Sequence, residues 1–133
     1  MKNESQLWIK YADENLQSSI ILADSHLYNP SLQNAQQSIE KHIKAYCIEK
    51  GLKLQKTHNI LSLNEILKEN DVFLNITDDD IDLIDSIYLS SKYPFGSVLP
   101  NFEPSIDICL KCIQIANRVK EDIVKYINGK KRD

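Results

Sequence analysis

Apolar residues return every three or four positions along most of the chain, with polar residues between them, which is the period of helices that each bury one face. From Glu4 to Leu27 the stripe runs Leu7, Trp8, Tyr11, Ala12, Leu16, Ile20, Ala23 and Leu27, predicting a long first helix. Asn29-Pro30 offers an N-cap and a first-turn proline, and Ala35, Ile39, Ile43, Tyr46 and Cys47 carry a second helix to a stop at Gly51. A loop to Thr57 precedes a short third helix, with Leu63, Ile66 and Leu67 on its apolar face. Its start lies between His58 and Ser62, and Ser62-Leu63-Asn64-Glu65 has the form of a capping box. A second capping box, Thr77-Asp78-Asp79-Asp80, opens a fourth helix that Ile81, Ile84, Ile87 and Tyr88 continue to about Ser91. Pro94, Gly96 and Pro100 exclude regular helix from 92 to 103, a connection long for a plain bundle. Pro104 then suits the first position of a last helix, in which Ile106, Leu110, Ile113, Ala116, Ile123 and Ile127 face one way until Gly129. Residues 130–133 are expected to form a disordered, solvated tail.

The prediction is an all-α fold in one domain over residues 1–133. Composition agrees: 42% hydrophobic and 26% charged residues suit a globular chain, and 3 Gly with 4 Pro supply too few turns for a many-stranded sandwich. A net charge of -3 excludes a generally basic coat for nucleic acid, so any such contact is local. Positive charge gathers at 41–58, where Lys41, Lys44, Lys50, Lys53 and Lys56 stand against Glu49. Residues 69–86 hold seven acids and no Lys or Arg. Opposed blocks of this kind steer a phosphate-bearing ligand or pair two copies, although two solvated faces are the simpler reading. With no signal-like N-terminus and no apolar run of spanning length, the expectation is a cytoplasmic protein that does not enter a membrane. Cys47, Cys109 and Cys112 are odd in number and read as reduced thiols.

Four separated segments resemble the HEPN family, small helical-bundle proteins linked to RNA and nucleotide systems. Trp8 with Ala12 and Ala23 is similar to the family's first helix, and residues 34–45, Asn34-Ala35-Gln36-Gln37-Ser38-Ile39-Glu40-Lys41-His42-Ile43-Lys44-Ala45, to its second. Thr57-His58-Asn59-Ile60-Leu61 resembles the short third segment, and Tyr88-Leu89-Ser90-Ser91-Lys92-Tyr93-Pro94 the fourth. The resemblance implies an up-and-down antiparallel four-helix bundle with an additional short helix, and often a homodimer. It also implies RNA or a nucleotide as ligand, and a minimal nucleotidyltransferase as a possible partner. Active family members are metal-independent ribonucleases with an Arg and, a few residues on, a His. The His moves the proton of the ribose 2′-hydroxyl while the Arg neutralises the phosphate.

At those positions this chain has Lys92, then Ser97, Val98 and Leu99. A lysine meets phosphate as a point charge without the planar fork, and no imidazole follows it. The expectation is therefore a non-catalytic module that binds RNA, a nucleotide or a partner protein. The competing reading is a divergent metal-independent endoribonuclease of toxin–antitoxin type, with a His supplied from elsewhere.

Lys92, Lys44, Lys41, Glu40 and His58 are the candidate phosphate or RNA contacts. Against that stand a helix-surface ion pair for Glu40 and Lys44 and a packing role for His58, both the more economical assignments. Tyr93, Phe95 and Phe102 could stack on bases, and equally could cover the end of the bundle or an interface. Cys109-x-x-Cys112 lies within a predicted helix and reads as two small buried hydrophobes. Asp78-Asp79-Asp80-Ile81-Asp82 lacks the glycine of a calcium loop, so neither a metal nor another cofactor is expected.

Overall fold

The structure is a computed structural model that describes residues 1–53, 56–92 and 103–129, with backbone alone for 89–92. Its elements are α1 (Asn3–Asp24), α2 (Tyr28–Glu49), α3 (Ile60–Glu69), α4 (Asp78–Lys92) and α5 (Ile106–Ile127), with no strand among the described residues. The four long helices alternate in direction. Cross-contacts fix this: Asn15 meets Asn34 and Lys2 meets Glu49 between α1 and α2, while Asp80 meets Arg118 and Asn75 meets Asp122 along α5. The up-and-down bundle with a short accessory helix is thus the architecture observed, and residues 130–133 lie outside the described part.

The core draws on most of the predicted stripes, but on α5 it takes in Ile115 from outside the expected face and leaves Ile106 and Leu110 of that face in solvent. Leu16, Ile39, Ile43, Ile84, Ile115 and Ile123 are all buried in one cluster, into which α3 adds Ile60, Leu63 and Leu67. Small residues let α1 and α2 approach closely. Ser19 Oγ donates to the Ser31 carbonyl at 2.8 Å, and Ser31 Oγ donates to the Ser19 carbonyl at 2.8 Å. This reciprocal clasp satisfies two buried hydroxyls without any larger side chain.

Several boundaries differ from the periodicity for local reasons. The first helix stops at Asp24 rather than Leu27, because His26 turns left-handed at φ 61°. His26 N–H then bonds Ala23 O and Leu27 N–H bonds Leu22 O, a Schellman closure that leaves Leu27 exposed. Leu7 and Tyr11, placed on the apolar stripe, also stand in solvent. α2 begins at Tyr28, before the Asn29-Pro30 signal and without a side-chain cap, and it ends where Gly51 takes φ 67°. α3 is capped by Asn59, whose side chain accepts from Ser62 N–H, so the Ser62–Glu65 box is not its start. The last helix begins at Ile106 under a Ser105 cap, two residues after Pro104. The Thr77 box forms as expected: Asp80 N–H donates to Thr77 Oγ1 at 3.0 Å and Thr77 N–H to Asp80 Oδ2 at 3.1 Å.

Candidate functional site

Glu40 lies halfway along α2, on the face turned toward α3 and α4, and is only 3% exposed. A carboxylate so buried needs partners, since an unpaired buried charge is costly. It has two: His58 Nδ1 lies 2.5 Å and Lys44 Nζ 3.7 Å from the same oxygen, Oε1. The expected Glu40–Lys44 pair therefore forms, but in the interior and not on the helix surface. Lys44 is also held from its other side, with its ammonium 6.0 Å from the centre of the Trp8 ring on α1.

His58 precedes the cap of α3 and remains half-exposed, stacked on Tyr88 of α4 at 5.3 Å between ring centres and 20° between planes. Its packing role and its carboxylate contact coexist. Asp85, one turn before Tyr88, accepts from Ile60 N–H at 2.8 Å and Leu61 N–H at 3.2 Å and so holds the start of α3. Burial is the main influence on this carboxyl and pushes it above the usual aspartate range, against the two amides and with the help of Asp82. Lys56, Thr57, His58, Asn59, Asp85 and Tyr88 line an open cleft of about 270 Å³ above this junction. Asp85 and the stacking of Tyr88 on His58 are the parts that sequence reading did not anticipate. No local pattern announces a side chain that caps a helix twenty-five residues away.

The other candidates separate. Lys41 Nζ donates to Asn15 Oδ1 at 2.7 Å, on the α1 side of α2, and takes no part in the Glu40 pairings. The Lys92 side chain and all of Tyr93, Phe95 and Phe102 lie outside the described residues. His42 is fully buried, with Nδ1 donating to Ser38 O at 2.9 Å and Nε2 facing Asp13 Oδ1 at 3.4 Å, beneath the Lys120–Asp13 ion pair. It belongs to the interior of the α1–α2–α5 seam. Cys47, Cys109 and Cys112 are buried free thiols, and burial pushes Cys47 up to about 11 and Cys112 up to about 12. Among the described residues no group of His, Cys, Asp or Glu is placed to hold a metal ion, and no helix is long and apolar enough to cross a membrane.

Comparison with known proteins places this chain in a family. The archaeal HEPN homologue ST0689 superposes with a TM-score of 0.70 at 23% identity, covering 96% of this chain and 99% of that one. TT1696 from Thermus thermophilus gives 0.77 at 19% identity, over 93% and 98% of the two chains. At such identities these structures speak for the fold. A search of curated proteins finds no match. The family model of the HEPN domain, however, matches residues 5–127, from the first turn of α1 to the end of α5. The chain belongs to the HEPN family.

Proposed function

We propose that this HEPN chain is a non-catalytic module that binds a phosphate-bearing ligand, RNA or a nucleotide, in the cleft at the α2–α3–α4 junction. The observation that carries the reading is the double pairing of Glu40 with Lys44 and His58 beside that cleft. One buried carboxylate orders His58, which lines the cleft, and Lys44, which shares the same oxygen behind it, so this side of the cleft is largely fixed before a ligand arrives. Tyr88 gives the cleft an aromatic wall and Lys56 adds a cation at its rim. Cations beside a ring are the minimum set for a single-strand platform. Lys92, with Ser97, Val98 and Leu99 after it, supports binding without cleavage, because the family's Arg and His are both replaced. A homodimer, a minimal nucleotidyltransferase partner and a cytoplasmic setting complete the proposal and rest on the family.

The Glu40–His58 pair also supports a second reading, a divergent endoribonuclease. A carboxylate at Nδ1 leaves Nε2 able to accept the proton of a 2′-hydroxyl, with Lys44 as the nearby cation. Labelled single-stranded RNA incubated with the full chain in EDTA separates the two. The module reading expects intact RNA, saturable anisotropy and weaker binding in Lys44→Ala and His58→Ala. Each lost phosphate contact should lower the salt slope by about 0.7. Cleavage that disappears in His58→Ala would establish the enzyme instead, and neither binding nor cleavage at low salt would overturn both.

A further inference from the structure

At the far end of α3, three helices finish around a second open cleft of about 290 Å³. Lys50 is the C-cap of α2, Asn70 the C-cap of α3, and Gly129 follows the C-cap of α5; all three line it. Each helix end carries a partial negative charge from its terminal carbonyls, that of α2 met in part by Lys2 Nζ on Ile48 O, and Asp71 adds a full one. Among the described residues no cation pairs with the Asp71 carboxylate. Two aromatic walls complete the surround. Tyr46 and Tyr126 stand edge to face, 6.4 Å apart and 78° between planes, and the Tyr126 hydroxyl is held by the Phe73 N–H at 3.2 Å.

Rings set at right angles beneath converging negative dipoles make an environment for a cation with a soft, weakly hydrated surface. The chain already uses it in part, since the Lys50 ammonium stands 5.8 Å from the centre of the Tyr46 ring. Lys50 is exposed and hangs from a helix end, so it can swing away. We propose that this cleft receives an organic cation, an alkylammonium or guanidinium group, and that Lys50 is its built-in competitor for the Tyr46 face. The site is independent of the phosphate cleft, from which the length of α3, about 15 Å, separates it.

The test is an amide-shift titration of the isotope-labelled full chain with tetramethylammonium chloride and with a blocked arginine amide, against sodium chloride at equal ionic strength. Saturable shifts are expected at Lys50, at Asn70–Val72 and at Tyr126–Gly129, with no counterpart in sodium chloride. Lys50→Met, which keeps the stem and removes the charge, should tighten binding roughly two- to fivefold, what an exposed cation–π contact is worth. Asp71→Asn should weaken it by a similar factor while keeping a residue that tolerates the left-handed φ of 61°. Saturation by both organic cations supports a small free ligand, and saturation by the arginine amide alone supports a basic side chain of a protein partner. Shifts equal to those in sodium chloride, or affinities indifferent to both variants, would overturn the proposal.

Discussion

His58 Nδ1 sits 2.5 Å from Glu40 Oε1, so the residue that leads into α3 is tied to the middle of α2 through a carboxylate that water scarcely reaches. The tie makes Glu40 a structural and an electrostatic centre at once. Glu40→Ala would leave His58 and Lys44 without their shared acceptor. We expect a stability loss of about 1–3 kcal/mol by urea denaturation, the usual cost of orphaning such groups. The same variant should bind RNA more weakly although it removes a negative charge, because Lys44 and His58 lose their fixed positions. Stronger binding by Glu40→Ala would count against the phosphate cleft.

His42 gives the bundle an acid-sensitive seam. Burial is the main influence and pushes its imidazole below the ordinary value near 6.5. Asp13 and the Ser38 carbonyl pull the other way, and Lys120 adds to the lowering. A folded value below the unfolded one means that the unfolded chain takes the proton first. The His42 contribution is therefore complete above about pH 6.5 and declines as pH falls through the folded value. Denaturation midpoints between pH 7.5 and 5 should fall for the natural chain and flatten in His42→Gln, whatever that variant's stability at neutral pH.

Asp85 anchors the start of α3 from another helix. Asp85→Ala should cost about 1–2 kcal/mol, as loss of a helix cap does, and accelerate hydrogen exchange at the Ile60 and Leu61 amides before others. Asp85→Asn retains one oxygen and should give a smaller effect. Uniform acceleration throughout α3 and α4 would indicate general loosening instead.

Buried thiols raised to about 11 at Cys47 and about 12 at Cys112 hold almost no thiolate at neutral pH. Reaction with a disulfide reagent should be slow in the native chain and complete within minutes in denaturant, with all three cysteines modified. Fast native labelling at Cys112 would contradict its packing.

The helices were legible because their signals are local: a stripe at helical spacing, a Thr77–Asp80 box closed within one turn, a glycine after α2. The errors fall where a distant contact or an unusual backbone decides. Leu27 fits the α1 period, yet His26 adopts a conformation that sequence assigns to glycine. Glu40 looked like a solvated residue because its position in the stripe does not reveal that α3 and α4 close over it. Asp85, read as one acid among seven, caps a helix that begins twenty-five positions earlier. The second cleft was invisible for the same reason, being assembled from residues near 50, 71 and 129.

The paired serines between α1 and α2 restrict how this chain can drift. Each hydroxyl donates to the other's backbone oxygen, so a larger replacement without a hydroxyl, such as valine at Ser19 or Ser31, both deprives its opposite number of a donor and wedges the two rods apart. Swaps at the two sites are thus expected to arrive as correlated pairs, and a designer wishing to reset the spacing of the hairpin would do it there.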